Sequence, residues 1–138
     1  DNRFSTWLEL FLQSHADPAK KLSLEIGEAA AFAQPENFKL LVEVAHAAGV
    51  KVGIEHMGYR ISDIGKLGDL GMDYIKMDSL FSRDLSNNTG NAALMRTYIN
   101  IAQSLGLPCI AEGISNADEL DAVFELGVSG ACGQGVNY

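Results

Sequence analysis

The stretch AHAAGVKVGIEH, Ala45 to His56, runs from an amphipathic segment through one glycine into a short apolar run that closes on a carboxylate and an imidazole. Gly49 sits where a helix C-terminus needs left-handed geometry. The run after it has the length of a buried parallel strand. The same junction recurs as GDLGMDYIKMD, QSLGLPCIAEG and FELGVSGACGQG, with Gly71, Gly106 and Gly127 in the place of Gly49. Four helix-glycine-strand junctions in one chain predict an α/β fold with a parallel sheet, either open and doubly wound or closed as a barrel.

The helical halves carry matching signals. Phe38, Leu41, Val42 and Ala45 fall at helix spacing behind Pro35, which suits a first turn. Leu94, Tyr98, Ile101, Ala102 and Leu105 make a second stripe. Asn116, three residues before Glu119, resembles a capping box and opens a helix expected to bury Leu120, Val123 and Phe124. Near the start, Thr6 and Glu9 share that spacing above Trp7, Leu8, Phe11 and Leu12. The expected order is helix, strand 22–26, helix, strand 50–55, short helix 62–70, strand 73–78, helix 91–105, strand 108–112, helix 117–126 and strand 128–132.

Composition narrows the class. The chain has 138 residues, 47% hydrophobic and 20% charged, which is globular and large enough for one core. No apolar run approaches the roughly 20 residues that cross a bilayer, and no signal peptide is evident, so no direct membrane contact is expected. A net charge of −8 argues against a nucleic-acid duplex as partner, because duplex binding needs basic residues against phosphates. Cys109 and Cys132 are too few and too far apart for a CxxC metal site and are expected to be reduced.

The strands also share how they end. The first carries Glu25 and leads to Glu28; the second ends in Glu55 and His56. The third holds Lys76 and Asp78, two apart and so on one face; the fourth ends in Glu112, and the last runs on to Gln134. One such residue would be an ordinary helix cap. Five strands ending this way place a lysine, a histidine and several carboxylates on one rim, because C-terminal strand ends gather at one face of a parallel fold. Close carboxylates repel unless cations lie among them, and an oxygen-rich site suits Mg²⁺ or Mn²⁺ bridging phosphate oxygens. A metal-assisted phosphate-ester site is the chemistry to expect.

In order and spacing, LSLEIGE, GIEHMG, YIKMDSLF, IAEGIS and QGV resemble the motifs of EAL domains, the cyclic-di-GMP phosphodiesterases. The resemblance implies a TIM-like (β/α) barrel, here incomplete: residues 1–138 would be the C-terminal portion of one EAL domain, with its N-terminal strands lying before Asp1. It implies metal-binding positions at Glu25, Glu55, His56 and Glu112, and a loop-stabilising one at Glu28. Lys76 and Glu112 match the family's catalytic lysine and glutamate. Glu25, Glu55, Lys76, Asp78, Glu112 and Gln134 would face the ligand.

The departures from the family pattern are as telling. Glu55 and His56 stand where the family has two aspartates bridging the metals, and an imidazole cannot bridge two hard cations. Gly27 replaces a threonine, Ser115 a glutamate, and the loop Tyr59–Asp63 lacks a glycine. These changes weigh against catalysis and point to a degenerate EAL domain, similar to LapD-type receptors, that binds cyclic-di-GMP as a signalling module without a required metal. The alternatives are an active Mg²⁺- or Mn²⁺-dependent phosphodiesterase giving linear pGpG, and a pseudo-domain acting through protein contacts. Self-association, further domains of a longer parent protein, and a cytoplasmic place beside an inner-membrane anchor accompany the first reading. Arg60 is expected to be a surface residue or to lend the site positive charge; His15 and His46 receive no role.

Overall fold

β1 (Ser23–Gly27), β2 (Lys51–Met57), β3 (Tyr74–Met77), β4 (Cys109–Ala111) and β5 (Gly130–Ala131) pair in the order in which they occur, every pair parallel. They belong to a computed structural model that describes residues 22–136. A doubly wound sheet reverses its strand order at a switch point; this one does not, so the five strands form an arc of a TIM-like barrel. The first expected helix, with Trp7, Leu8, Phe11, Leu12 and His15, lies outside the described residues.

Four helices lie between the strands: α1 (Glu28–Ala33), α2 (Pro35–Ala47), α3 (Thr89–Ser104) and α4 (Ala117–Leu126). Val52, Ile54, Ile75, Met77, Cys109 and Ala111 form the helix-facing side of the sheet, none more than 1% exposed. Phe38, Leu41, Val42 and Ala45 of α2 are buried with them, at the spacing the sequence predicts. Gly49, Gly71, Gly106 and Gly127 take φ of 79, 85, 72 and 101°, the left-handed geometry expected after each helical stretch. Each strand lies within two residues of its expected bounds, although β5 is only two residues long.

Several expectations need correction. A helix, α1, precedes Pro35 and ends at Gln34, since the residue before proline avoids helical geometry. The segment Ile61–Asp69 is a 3₁₀ helix. In α3 the buried stripe runs through Met95, Tyr98, Ile99 and Ala102, leaving Leu94 and Ile101 half-buried and Leu105 exposed beyond the last turn. In α4 Val123 is buried, Leu120 half-buried and Phe124 exposed. The reason is polar. Glu119 points inward, accepting from the Ser115 N–H, the Ser115 hydroxyl and the Asp84 N–H, and this rotates Phe124 toward solvent. The capping box is therefore offset: Asn116 Oδ1 accepts from Glu119 N, but the glutamate returns to Ser115.

Candidate functional site

Alternation along the strands places the polar residues opposite the core. Glu25 pairs in register with Gly53, Gly53 with Tyr74, and Gly27 with Glu55. With Val52, Ile54, Ile75 and Met77 facing the helices, Glu25, Gly53, Glu55, Tyr74 and Lys76 share the other face. Asp78 and Glu112 follow β3 and β4 directly, and Asp78 N and Glu112 N donate to Met57 and Met77 carbonyls, so they cap the same end.

Strict alternation would turn His56 into the core. A bulge prevents this: Ile54 pairs with Ile75 but Met57 with Met77, so β2 carries one residue more than β3. The extra residue is absorbed at His56, whose φ is 56°. Met57 then returns to the core, fully buried, while Glu55 and His56 both remain at the rim. Histidine, like Asp and Asn, enters this left-handed region more readily than other side chains.

Two linked clusters result. In the lower one, Lys76 Nζ lies 3.0 Å from Glu25 Oε1 and 2.7 Å from Oε2. Burial lowers the lysine's pKa, but the glutamate outweighs it and holds the ammonium above its ordinary value. The Tyr74 hydroxyl donates to Glu25 Oε2 at 3.3 Å, its ring lying where a Cβ on Gly53 would be. Tyr74 is a site residue that sequence reading missed. Its position two before Lys76, opposite a glycine, was the available signal.

The upper cluster centres on His56. Its Nδ1 is 3.2 Å from Asp78 Oδ2 and 3.4 Å from Glu112 Oε2; its Nε2 is 3.6 Å from Glu55 Oε1. Carboxylates only accept, so Nδ1 carries the proton that faces Asp78. The His56 N–H also approaches Glu112 Oε2, at 3.4 Å. Burial lifts the Glu112 carboxyl above the ordinary range; His56 pulls it back, and Glu55 adds to the rise. Asp78 goes the other way: burial would raise it, but the Leu80 N–H, the Tyr59 hydroxyl and His56 together hold it low.

Glu28, 3% exposed, opens α1 and accepts from Gly58 N at 3.2 Å and Tyr59 N at 3.0 Å, fixing the loop that leaves His56. Tyr59 extends from that loop, 57% exposed, its ring 5.1 Å from that of Phe81. Arg60 turns to its own segment, donating to Asp63 at 2.8 Å, with its guanidinium 5.9 Å from the Phe32 ring centroid. Gln134 is exposed in the turn after β5 and is not drawn into either cluster among the described residues. His46 bonds Asp73 at 2.8 Å, at the opposite end of β3 from the rim. Cys109 is buried, Cys132 half-buried, and both are free.

The implied Mg²⁺ or Mn²⁺ fits this donor set poorly. Lys76 covers both oxygens of Glu25, Leu80 N–H and His56 take those of Asp78, and His56 faces Glu112. Among the described residues, no three His, Cys, Asp or Glu side chains are grouped to hold one metal ion. The arrangement offers instead an open rim of hydrogen-bonding groups beside an exposed aromatic ring.

Residues 1–136 match the family described as EAL domain. The probable cyclic di-GMP phosphodiesterase PdeA of Escherichia coli (strain K12) is 29% identical over 121 residues, 88% of this chain and 16% of that protein. The chain thus spans about a sixth of the length of that relative. Among solved structures, the S helix-GGDEF-EAL portion of Vibrio cholerae LapD bound to c-di-GMP superposes with a TM-score of 0.84. It is 23% identical, covering 93% of this chain and 31% of that one. The manganese/cy-diGMP complex of Klebsiella pneumoniae BlrP1 gives 0.72 at 22% identity, covering 80% and 28%.

Proposed function

The chain belongs to the EAL domain family, and from that premise we propose that it is part of a receptor module that binds cyclic-di-GMP without cleaving it. The observation behind this reading is the imidazole of His56, lodged among Glu55, Asp78 and Glu112 where the family pattern has a second metal-bridging acid. Two-metal activation of water needs two cations at a short fixed separation, held by free carboxylates. Here Glu25 is engaged by Lys76, and Asp78 and Glu112 by His56.

Binding has its own supports. The rim stays open, with the His56 side chain 58% exposed. Tyr59 offers a ring for a base to stack on. The LapD structure holds c-di-GMP on the same fold. The module belongs to a longer cytoplasmic signalling protein, of which this chain is the C-terminal part of one EAL domain, and it works through a homodimer. Among the described residues no helix is long and apolar enough to cross a membrane.

Calorimetric titration of the full-length protein with cyclic-di-GMP, with and without Mn²⁺, tests the proposal when product is followed by chromatography. Binding with no pGpG released is expected. Turnover would make it an enzyme, with Lys76 and Glu112 in the family roles. Neither binding nor turnover would leave a pseudo-domain.

A further inference from the structure

We infer that the His56 side chain is a built-in occupant of the cation place, so that nucleotide binding at this rim needs no divalent metal and a metal enters only once the ring is removed. The inference rests on the rim being a cyclic-di-GMP site and assigns that site's cofactor requirement.

Three carboxylate oxygens, from the ends of three neighbouring strands, lie 3.2–3.6 Å from the nitrogens of one imidazole. Those are hydrogen-bond and close electrostatic distances, so the ring itself fills the space between the three carboxylates. Among the described residues no lysine or arginine pairs with this group, since Lys76 is paired with Glu25 and Arg60 with Asp63. Without the ring, three carboxylates would face one another with nothing between them, a state that a cation relieves.

The backbone fixes the ring there. The bulge is what turns residue 56 to the rim, and its Glu112-facing N–H closes the loop from the main-chain side. Glu28, holding Gly58 N and Tyr59 N, sets the exit direction two residues later. The occupant is thus held by the fold on both flanks.

H56G removes the ring at a positive φ that glycine adopts without cost, so the fold is retained. In the full-length protein without nucleotide, Mn²⁺ uptake is followed by the loss of the free-ion electron paramagnetic resonance signal. H56G is expected to bind Mn²⁺ at least tenfold more tightly than wild type, and H56G/E112Q to lose that gain. If H56G does not fold, H56N tolerates the same backbone and is expected to gain affinity in the same direction. Equal Mn²⁺ affinity in wild type and variant overturns the inference. So does wild-type cyclic-di-GMP binding that appears with Mn²⁺ and vanishes in EDTA, which leaves the receptor reading standing. A wild type that binds no nucleotide under either condition, beside an H56G that gains Mn²⁺, removes the receptor reading and keeps the plugged site.

Discussion

Replacing Glu28 by alanine should loosen the loop that carries the rim. The residue is 3% exposed, and its two oxygens accept from Gly58 N at 3.2 Å and Tyr59 N at 3.0 Å. Hydrogen bonds to a charged group contribute about 1.5–3 kcal/mol each, so the pair is worth roughly 3–6 kcal/mol before solvent compensates. Tyr59 is exposed, and water can take over its N–H. Gly58 is buried, with the Phe81 ring where a Cβ would lie, so its N–H stays unpaired. The net loss should be about 2–4 kcal/mol. Glu28→Gln keeps one acceptor and should lose about 1–2 kcal/mol. Urea unfolding followed by circular dichroism measures both, with the slope checked for constancy. Because the loop leaves His56 directly, Glu28→Ala should also weaken cyclic-di-GMP binding beyond what its stability loss explains at 25 °C. A midpoint within error of wild type at unchanged slope would refute the account of Glu28 as the loop's anchor.

Gly53→Ala should destabilise by about 1–3 kcal/mol, because the new methyl would fall 2.2 Å from Tyr74 Cε2. Adding Tyr74→Ala should make the two costs less than additive in denaturant titrations. The pH profile follows from signs. Asp78 and Glu119 are held below their ordinary values, burial being outweighed by donated N–H and O–H groups, so the stability they add is full above about pH 4.5 and is lost as pH falls through their folded pKa values. Glu112, held above its ordinary value chiefly by burial, works oppositely: its contribution is present below about 4.5 and lost as pH rises through its folded pKa. Melting curves from pH 3 to 7 should show acid destabilisation that Glu119→Gln makes shallower. Burial pushes the Cys109 thiol up to about 12, so a disulfide-exchange reagent at pH 8 should label half-buried Cys132 first and Cys109 at the pace of unfolding.

The sequence alone determined the parallel α/β alternation, because glycine after a helix and apolar runs after glycine are local signals that need no neighbour. It also gathered Glu25, Glu55, Lys76, Asp78 and Glu112 on one rim, because the C-terminal ends of parallel strands share a face; that Lys76 pairs with Glu25 only the structure decided. The helix-glycine-strand pattern left barrel arc and open sheet undecided, since strand order is a property of pairing between distant segments; the resemblance to EAL domains is what supplied the barrel. Phe124 was misjudged for the same reason: its exposure depends on Glu119 finding donors at Ser115 and Asp84. His56 shows the division most clearly. Its neighbours in sequence name it as a strand-end residue, yet by simple alternation it belongs in the core. Only a register slip against β3, set by packing Met57 beside Met77, turns it outward to meet carboxylates from two other strands.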